Sequence, residues 1–153
     1  MIIPNHRRVI VGRSSRGRSV VTDDTDDVAV IEPTAGITLH EVWRQDRIPA
    51  TVEGAADPSS MGILAAPPHG AVIRILTIEP FDDNVGAWTP HLHSDDSLHV
   101  ITMTEGELDI VLEEGAVQLG AGDSIVLPGS VHDLRNLSGA TATFVYTSFP
   151  LER

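Results

Sequence analysis

The sequence predicts an all-β sandwich or barrel. Thirteen glycines and ten prolines interrupt it at short intervals, and the runs between them are rich in Val, Ile, Leu and Thr, which favour strands. Several runs alternate: Leu108, Ile110 and Leu112 are apolar, whereas Glu107 and Asp109 are charged. Alternation with a period of two is typical of a strand with one buried and one wet face. No helix of convincing length is predicted.

Nine strands are predicted in chain order. They are RSVVT (18–22), ITLHEVW (37–43), AVIRILTI (71–78), LHVITMT (98–104), ELDIVLEE (107–114), VQL (117–119), DSIVLP (123–128), VHDLRN (131–136) and TATFVYTSF (141–149). The turns TEGE, EEGA and GAGD each contain a glycine, which permits the positive φ of a tight reversal and predicts antiparallel meanders. The Ala- and Pro-rich segment 44–71 is expected to be an irregular connection that covers one mouth of the barrel.

Length and composition bound the class of protein. A chain of 153 residues fits one domain. It has no cysteine, which excludes disulfides and thiolate ligands. All ten positive charges are arginines, so a lysine Schiff base is also excluded. Apolar runs are too short to cross a membrane and the start lacks a secretory signal. We therefore expect a soluble, cytoplasmic protein with no membrane partner.

Charge is distributed unevenly along the chain. Residues 1–18 hold five arginines and no acid, and the net charge is −12, so residues 19–153 carry −17 (five arginines against 22 acids). A body this acidic repels phosphate backbones and argues against a nucleic-acid partner. We predict a basic N-terminal arm (1–18) and a single barrel domain (19–153). The arm either lies on an acidic partner subunit or, the favoured alternative, is a solvated terminus. The run TDDTDD (22–27) is interpreted as a solvated turn rather than a cation loop.

Four of the seven histidines form a candidate metal site. His91 and His93 are two residues apart, so on an extended strand they share a face with Cα atoms about 6.6 Å apart. His99 returns towards them if SDDS (94–97) reverses the chain. His132 joins them only through tertiary folding. Asp95 and Asp96 either orient these imidazoles or, the favoured alternative, are turn residues that bind their own backbone.

The stretch HLHSDDSLHVITMTEGELDI followed by GDSIVLPGSVHDLRN resembles the two motifs of the cupin superfamily. The likeness is closest to small single-domain bacterial cupins of the cupin_2 type, and GRSVV, LHEVW and ADP upstream extend it over most of the chain. It implies a cupin double-stranded β-helix, or jelly-roll barrel, with an N-terminal arm of extra strands and metal motifs at 86–106 and 122–136.

The resemblance also implies a ligand set. His91 and His93 match the HxH pair and His132 the later histidine, while the matching framework residues are Gly106, Gly122, Gly129 and Asn136. His99 stands where the family has an acidic ligand, separated from His93 by five residues rather than the usual three or four, and LPGSVH is one residue shorter than the commonest second motif. The predicted ligands are His91, His93, His99 and His132. Imidazole ligands suit iron, our first choice, then zinc or nickel, then manganese. The alternative is a cupin that kept its histidines and lost its ion.

A divalent ion held by four neutral imidazoles keeps its full charge and favours an anionic substrate. His40, Arg74 and Tyr146 are the candidate catalytic residues, with Glu41 a further polar residue of the lining. For His40 a structural role is the slightly favoured alternative, and for Arg74 the alternative is an outward-facing edge position. We predict a metal-dependent cupin enzyme acting on a small oxygenated, anionic organic molecule, with dioxygenase-type oxidation ranked above lyase, isomerase or decarboxylase chemistry. The alternative is a non-catalytic binding or sensing cupin. A homodimer is expected from the resemblance and from exposed strand edges.

Overall fold

The strands are antiparallel throughout and form three sheets. The computed structural model describes residues 6–51, 62, 64–82, 84, 86–87 and 89–152. The strands are β1 (Arg8–Arg13), β2 (Ser19–Thr25), β3 (Val30–Thr34), β4 (Ile37–Gln45), β5 (Ala71–Ile78), β6 (Ser97–Glu105), β7 (Glu107–Leu112), β8 (Ala116–Gly120), β9 (Ser124–Pro128), β10 (His132–Arg135) and β11 (Ala142–Pro150). A six-stranded sheet has the order β3-β4-β5-β11-β6-β9, a three-stranded sheet the order β10-β7-β8, and β1 and β2 form a separate hairpin.

The core lies between the six-stranded and three-stranded sheets. Phe144, Met103 and Ile101 from one sheet pack with Leu108 and Ile110 from the other, and all five are essentially inaccessible to solvent. The all-β, jelly-roll architecture predicted from the sequence is confirmed.

The inner face of the six-stranded sheet changes from apolar to polar along the strands. Directly paired residues share a face, so strand register defines rows across the sheet. One row is wholly apolar and contains Leu39, Leu76, Phe144 and Met103. The next row contains Glu41, Arg74, Tyr146, Ile101 and Ile125, and the one beyond it contains Arg44, Val72, Ser148, His99 and Leu127. The polar rows therefore mark one end of the barrel.

The predicted strands match the observed ones closely, with two additions. AVIRILTI forms β5 with no change of boundary. The edge strand β3 was not predicted because Pro33 reads as a strand breaker, although proline is tolerated at a sheet edge. β1 lies inside the basic arm and pairs with β2, so this hairpin spans the predicted boundary at residue 18.

The interpretation of TDDTDD as a turn is wrong for its first four residues. Thr22–Thr25 belong to β2. The carboxylate of Asp24 accepts two hydrogen bonds of 2.8 Å from Arg7, and that of Asp23 accepts one of 3.0 Å from Arg8. The arm therefore balances this acidic run within the same chain.

Part of the connection between β4 and β5 packs over one end of the barrel. The guanidinium of Arg44 donates to the carbonyl of Ala65 at 2.8 Å, and that of Arg74 donates to the carbonyl of Leu64 at 2.9 Å. Residues 52–61 and 63 of this connection lie outside the described residues. The described part agrees with the expectation that the segment covers one mouth.

Candidate functional site

A cavity of about 380 Å³ opens at the polar end of the barrel. Its apolar wall comes from residues such as Leu39, Val72, Leu76 and Leu134. Its polar lining is His93, Asp95, Ser97, His99, His132, Asp133, Arg74, Tyr146 and Ser148. A mostly apolar cavity with a few convergent polar groups is typical of a small-molecule site.

Backbone pairing brings His93 and His132 together across 39 positions of sequence. The two residues form an isolated antiparallel bridge in which each N–H donates to the other's carbonyl at 3.0 Å. Their ring centroids are 4.8 Å apart. Two imidazoles that share an ion about 2.1 Å from each nitrogen have centroids roughly 4.5–5.5 Å apart, so this pair fits one metal ion.

Hydrogen bonds to backbone carbonyls orient both of these rings. Nδ1 of His132 lies 2.7 Å from the carbonyl oxygen of Ser130, and Nδ1 of His93 lies 3.0 Å from that of His91. A carbonyl accepts only, so Nδ1 carries the proton in each ring and Nε2 carries the lone pair. This is the tautomer that binds a metal through Nε2.

His99 is held differently, in a hydrogen-bonded chain with Tyr146 and Asp95. Its Nδ1 is 2.7 Å from the Tyr146 hydroxyl, and its Nε2 is 3.0 Å from a carboxylate oxygen of Asp95. Burial lowers the pKa of His99, partly opposed by Asp95, and burial raises the pKa of Tyr146 to about 12. At neutral pH the imidazole is therefore neutral, Nε2–H donates to Asp95, and the tyrosine hydroxyl donates to Nδ1.

The four-histidine site predicted from the sequence is not assembled in this arrangement. His99 lines the cavity, with its ring centroid 5.8 Å from that of His132, but both of its nitrogens are hydrogen-bonded. His91 is exposed and is not part of the cavity lining, and its ring centroid is 6.0 Å from that of His93. Within the described part of the chain, no three His, Asp or Glu side chains are placed to hold one ion together.

Arg74 faces into the barrel and not outward at an edge. It is 2% exposed and Glu41, its neighbour across β4 and β5, is 0% exposed. One guanidinium nitrogen lies 3.3 Å from each carboxylate oxygen of Glu41. The arginine therefore lines the cavity with its charge balanced by a buried acid.

His40 does not belong to the cavity. Adjacent residues of a strand point to opposite faces, and because Leu39 and Glu41 face inward, His40 lies on the outer face of the six-stranded sheet. His6 covers it, with ring centroids 4.4 Å apart. The favoured structural role of His40 agrees with this position, whereas its candidate catalytic role does not.

Sequence reasoning undervalued Asp95. The interpretation of this residue as a turn residue was favoured, yet its carboxylate is the partner of His99 and lines the cavity. An acid four residues before a buried histidine, across a predicted turn, was the available signal. Asp133, whose carboxylate accepts the His91 backbone N–H at 2.8 Å, carried no comparable signal.

The fold and these residues define a small β-barrel of the jelly-roll class with an imidazole-lined cavity at one end. The sequence model of the cupin domain family matches residues 80–148, which include both predicted motifs (86–106 and 122–136). The match covers a little less than half of the chain and agrees with the resemblance to the cupin superfamily found in the sequence.

Solved structures of other proteins share the fold at low sequence identity. A sugar phosphate isomerase of the cupin superfamily from Silicibacter pomeroyi is 16% identical over 80% of this chain and 71% of its own, with a TM-score of 0.53. The Cnp3 cupin domain of Schizosaccharomyces pombe is 9% identical over 94% of this chain and 87% of its own, with a TM-score of 0.56. KdgF from Halomonas is 16% identical over 81% of this chain and 89% of its own, with a TM-score of 0.52. No curated protein sequence matches significantly. These likenesses establish the fold alone, because one fold hosts many activities.

The described residues contain no helix with the length and apolar character needed to span a membrane.

Proposed function

We propose that this cupin is a metal-dependent enzyme that moves a proton on a small oxygenated organic molecule, in the manner of an isomerase or lyase. The observation that carries the proposal is the hydrogen-bonded chain Tyr146–His99–Asp95, which lies in the same cavity as His93 and His132. An acid–base relay beside a metal-binding imidazole pair suits removal and return of a substrate proton.

The candidate ligands of the ion are His93 and His132, with His91 the third candidate because it precedes His93 by two residues on the same extended segment. Asp95 and Asp133 also line the cavity, and their negative charge favours a cation there. A bound divalent ion supplies Lewis-acid stabilisation of negative charge that develops on a substrate oxygen. Iron remains the first choice, with zinc, nickel and manganese as the alternatives.

The relay works as a general base. When the oxygen of Tyr146 accepts a proton from the substrate, its own proton passes to Nδ1 of His99, and the carboxylate of Asp95 stabilises the imidazolium that forms. This is the division of roles found in catalytic triads, in which an acid orients and stabilises a histidine that takes a hydroxyl proton. In this proposal His99 belongs to the relay and not to the ligands of the ion, because both of its ring nitrogens are hydrogen-bonded.

The preference for an anionic substrate is weaker than the sequence suggested. Glu41 balances the charge of Arg74, and two carboxylates line the cavity, so only a bound ion adds positive charge. Arg74 is proposed to shape and polarise the wall. Neutral sugars and monoanions belong in the same substrate panel as hydroxy acids, keto acids and sugar phosphates, the last because one cupin of this fold is a sugar phosphate isomerase.

Deuterium exchange from solvent tests the proposal without knowledge of the product. The protein is purified without added metal, its metal content is measured, and panel compounds in D₂O are followed by NMR for exchange of carbon-bound hydrogen. We expect a divalent ion near one per chain and exchange in at least one compound. Tyr146→Phe and His99→Asn should slow exchange about 100-fold or more while keeping the ion. His93→Ala and His132→Ala should lose the ion, whereas His69→Ala, at an exposed position outside the cavity, should retain both ion and activity.

Exchange that is unaffected by Tyr146→Phe would contradict the relay. Loss of the ion in His69→Ala but not in His132→Ala would contradict the ligand assignment.

Dioxygenase-type oxidation is the second candidate. The observation that favours it is the apolar wall of the cavity, because O₂ is itself apolar and reactive oxygen chemistry needs protection from water. Oxygen consumption by the iron-loaded protein, with no deuterium exchange in any compound, would favour oxidation over proton transfer. Tight binding of a compound with neither reaction would favour the non-catalytic alternative.

A further inference from the structure

His6 and His40 form a buried imidazole pair on the outer face of the six-stranded sheet, away from the barrel cavity. His40 belongs to β4 and is 2% exposed, while His6 is half-buried in the segment that leads into β1. Their ring centroids are 4.4 Å apart, and the two ring planes are nearly perpendicular, at 77°. The pair therefore marks the place where the start of the described chain contacts the barrel.

One nitrogen of each ring lacks a hydrogen-bond partner. Nε2 of His6 and Nε2 of His40 are both inaccessible to solvent, and neither forms a hydrogen bond with any described residue. A buried polar atom without a partner carries a free-energy cost, so native structures seldom keep one. Two such atoms at a single contact point to a ligand that both of them bind.

The chemistry of the pair favours a transition-metal ion as that ligand. Burial, followed by the neighbouring His6, lowers the pKa of His40, so this ring is neutral at neutral pH and offers a lone pair. Among the described residues, no ion pair joins either ring to a carboxylate. Calcium and magnesium prefer oxygen ligands, whereas imidazole suits copper, nickel, zinc and iron.

The separation of the rings narrows the choice of ion. For a metal–nitrogen distance of about 2.1 Å, ring centroids about 4.5 Å apart correspond to a nitrogen–metal–nitrogen angle of about 90°, and centroids about 5.2 Å apart to a tetrahedral angle. The observed 4.4 Å fits two neighbouring positions of a square-planar or tetragonal ion. Cu²⁺ and Ni²⁺ prefer this geometry, and Cu²⁺ is bound most tightly of the first-row divalent ions.

We propose that His6 and His40 form a second metal site, which takes Cu²⁺ or, less tightly, Ni²⁺ through the two Nε2 atoms, with water completing the coordination. The site shares no residue with the lining of the cavity. The net charge of −12 favours the approach of a cation.

A bound ion would tie the N-terminal hairpin to the barrel. β1 and β2 pair with each other in a sheet of their own, and a two-stranded hairpin alone is marginally stable in water. An ion held by residue 6 and residue 40 joins the start of this hairpin to the six-stranded sheet. Because a ligand that binds only the folded state stabilises it, Cu²⁺ should raise Tm.

Copper binding is measured in a chain that lacks the candidate ligands of the cavity, so that the outcome does not depend on the function proposed above. This background variant is His91→Ala/His93→Ala/His132→Ala, and circular dichroism checks that it keeps its strands. Titration with Cu²⁺ from about 0.1 to about 100 μM should give one site per chain. The spin-echo EPR spectrum of the bound Cu²⁺ should show two coordinated imidazoles.

Replacement of one histidine at a time then identifies the ligands. His6→Phe and His40→Phe each keep a ring at the contact and remove its nitrogens, so each should raise the dissociation constant for Cu²⁺ about tenfold or more and abolish the rise in Tm. His69→Ala is the matched control, because this histidine is exposed and lies elsewhere, and it should bind Cu²⁺ as the background variant does. In the native chain, which serves if the background variant does not fold, His6→Phe should lower the copper content by one ion per chain.

Three results would overturn the proposal: a background variant that binds no Cu²⁺, an unchanged dissociation constant after His6→Phe or His40→Phe, or an equal loss of Cu²⁺ binding in His69→Ala. In the native chain, a copper content that His6→Phe leaves unchanged would overturn it as well.

Discussion

The buried pair of Glu41 and Arg74 gives the sharpest prediction for stability. Glu41→Gln keeps the shape of the side chain and removes its charge, which leaves a guanidinium whose side chain is 3% exposed without the carboxylate that balances it. Removal of one partner of a buried ion pair costs about 3–5 kcal/mol. For a domain of this size each 1 kcal/mol lowers Tm by about 2–4 °C, so Tm should fall by roughly 6–20 °C.

Urea unfolding followed by circular dichroism measures this loss, and an exposed pair provides the control. Asp24→Asn breaks the pair between Arg7 and Asp24, whose side chains are 68% and 46% exposed, and should leave the urea midpoint nearly unchanged because solvent screens this pair. The double variant Glu41→Leu/Arg74→Leu removes both charges and should recover most of the loss. A Glu41→Gln protein within 1 kcal/mol of the native one would refute the reasoning, since a charge in this position would then need no balance.

Three further predictions concern single positions. Gly106→Ala should unfold at a markedly lower urea concentration, because φ is +73° and an added Cβ would lie 2.5 Å from the carbonyl oxygen of Thr141. Gly120→Ala should be nearly neutral, because the atom nearest to its added Cβ is 3.9 Å away. Equal urea midpoints for the two variants would contradict this prediction. Burial, followed by the neighbouring His6, lowers the pKa of His40 below its usual 6.5. Between about 6.5 and this lowered pKa only the unfolded chain takes up the proton, so the native protein should lose stability as pH falls through this window. His40→Phe should lose less stability over the same range, and parallel pH profiles of the two proteins would disprove this role of His40. Asn136→Ala should cost about 1–3 kcal/mol in urea unfolding, since its buried amide donates to two backbone carbonyls at 2.9 and 2.8 Å, and an unchanged midpoint would exclude that role.

The strands were predictable because the pattern of side chains records which face is buried. Alternation in LHVITMT placed His99, Ile101 and Met103 on one face, and all three lie inward. Strands were harder to predict where a local sequence pattern is compatible with both a strand and a turn. Pro33 breaks most strands but is tolerated at the edge that β3 occupies, and the acids of β2 read as a turn because their arginine partners lie 15 and 17 residues away.

The site was predictable in composition and less so in arrangement. The resemblance to the two cupin motifs predicted that His93 and His132 lie in the same cavity, whereas their spacing along the chain could not. The spacing of histidines along the sequence does not determine which hydrogen-bond partner each ring nitrogen has. The Tyr146 hydroxyl and the Asp95 carboxylate together determine the orientation of His99, and Tyr146 lies 47 residues away on another strand. The side of the sheet that His40 occupies followed from the register of β4, which the sequence alone does not specify.

The bridge between residues 93 and 132 has a consequence for how this barrel changes over evolution. Two main-chain hydrogen bonds join these positions, so the distance between them does not depend on which side chains they carry. Replacement of either imidazole by a carboxylate would alter the preferred element and its charge while the scaffold stays in place. Chemistry at this mouth is therefore free to diversify by single substitutions, without a new fold.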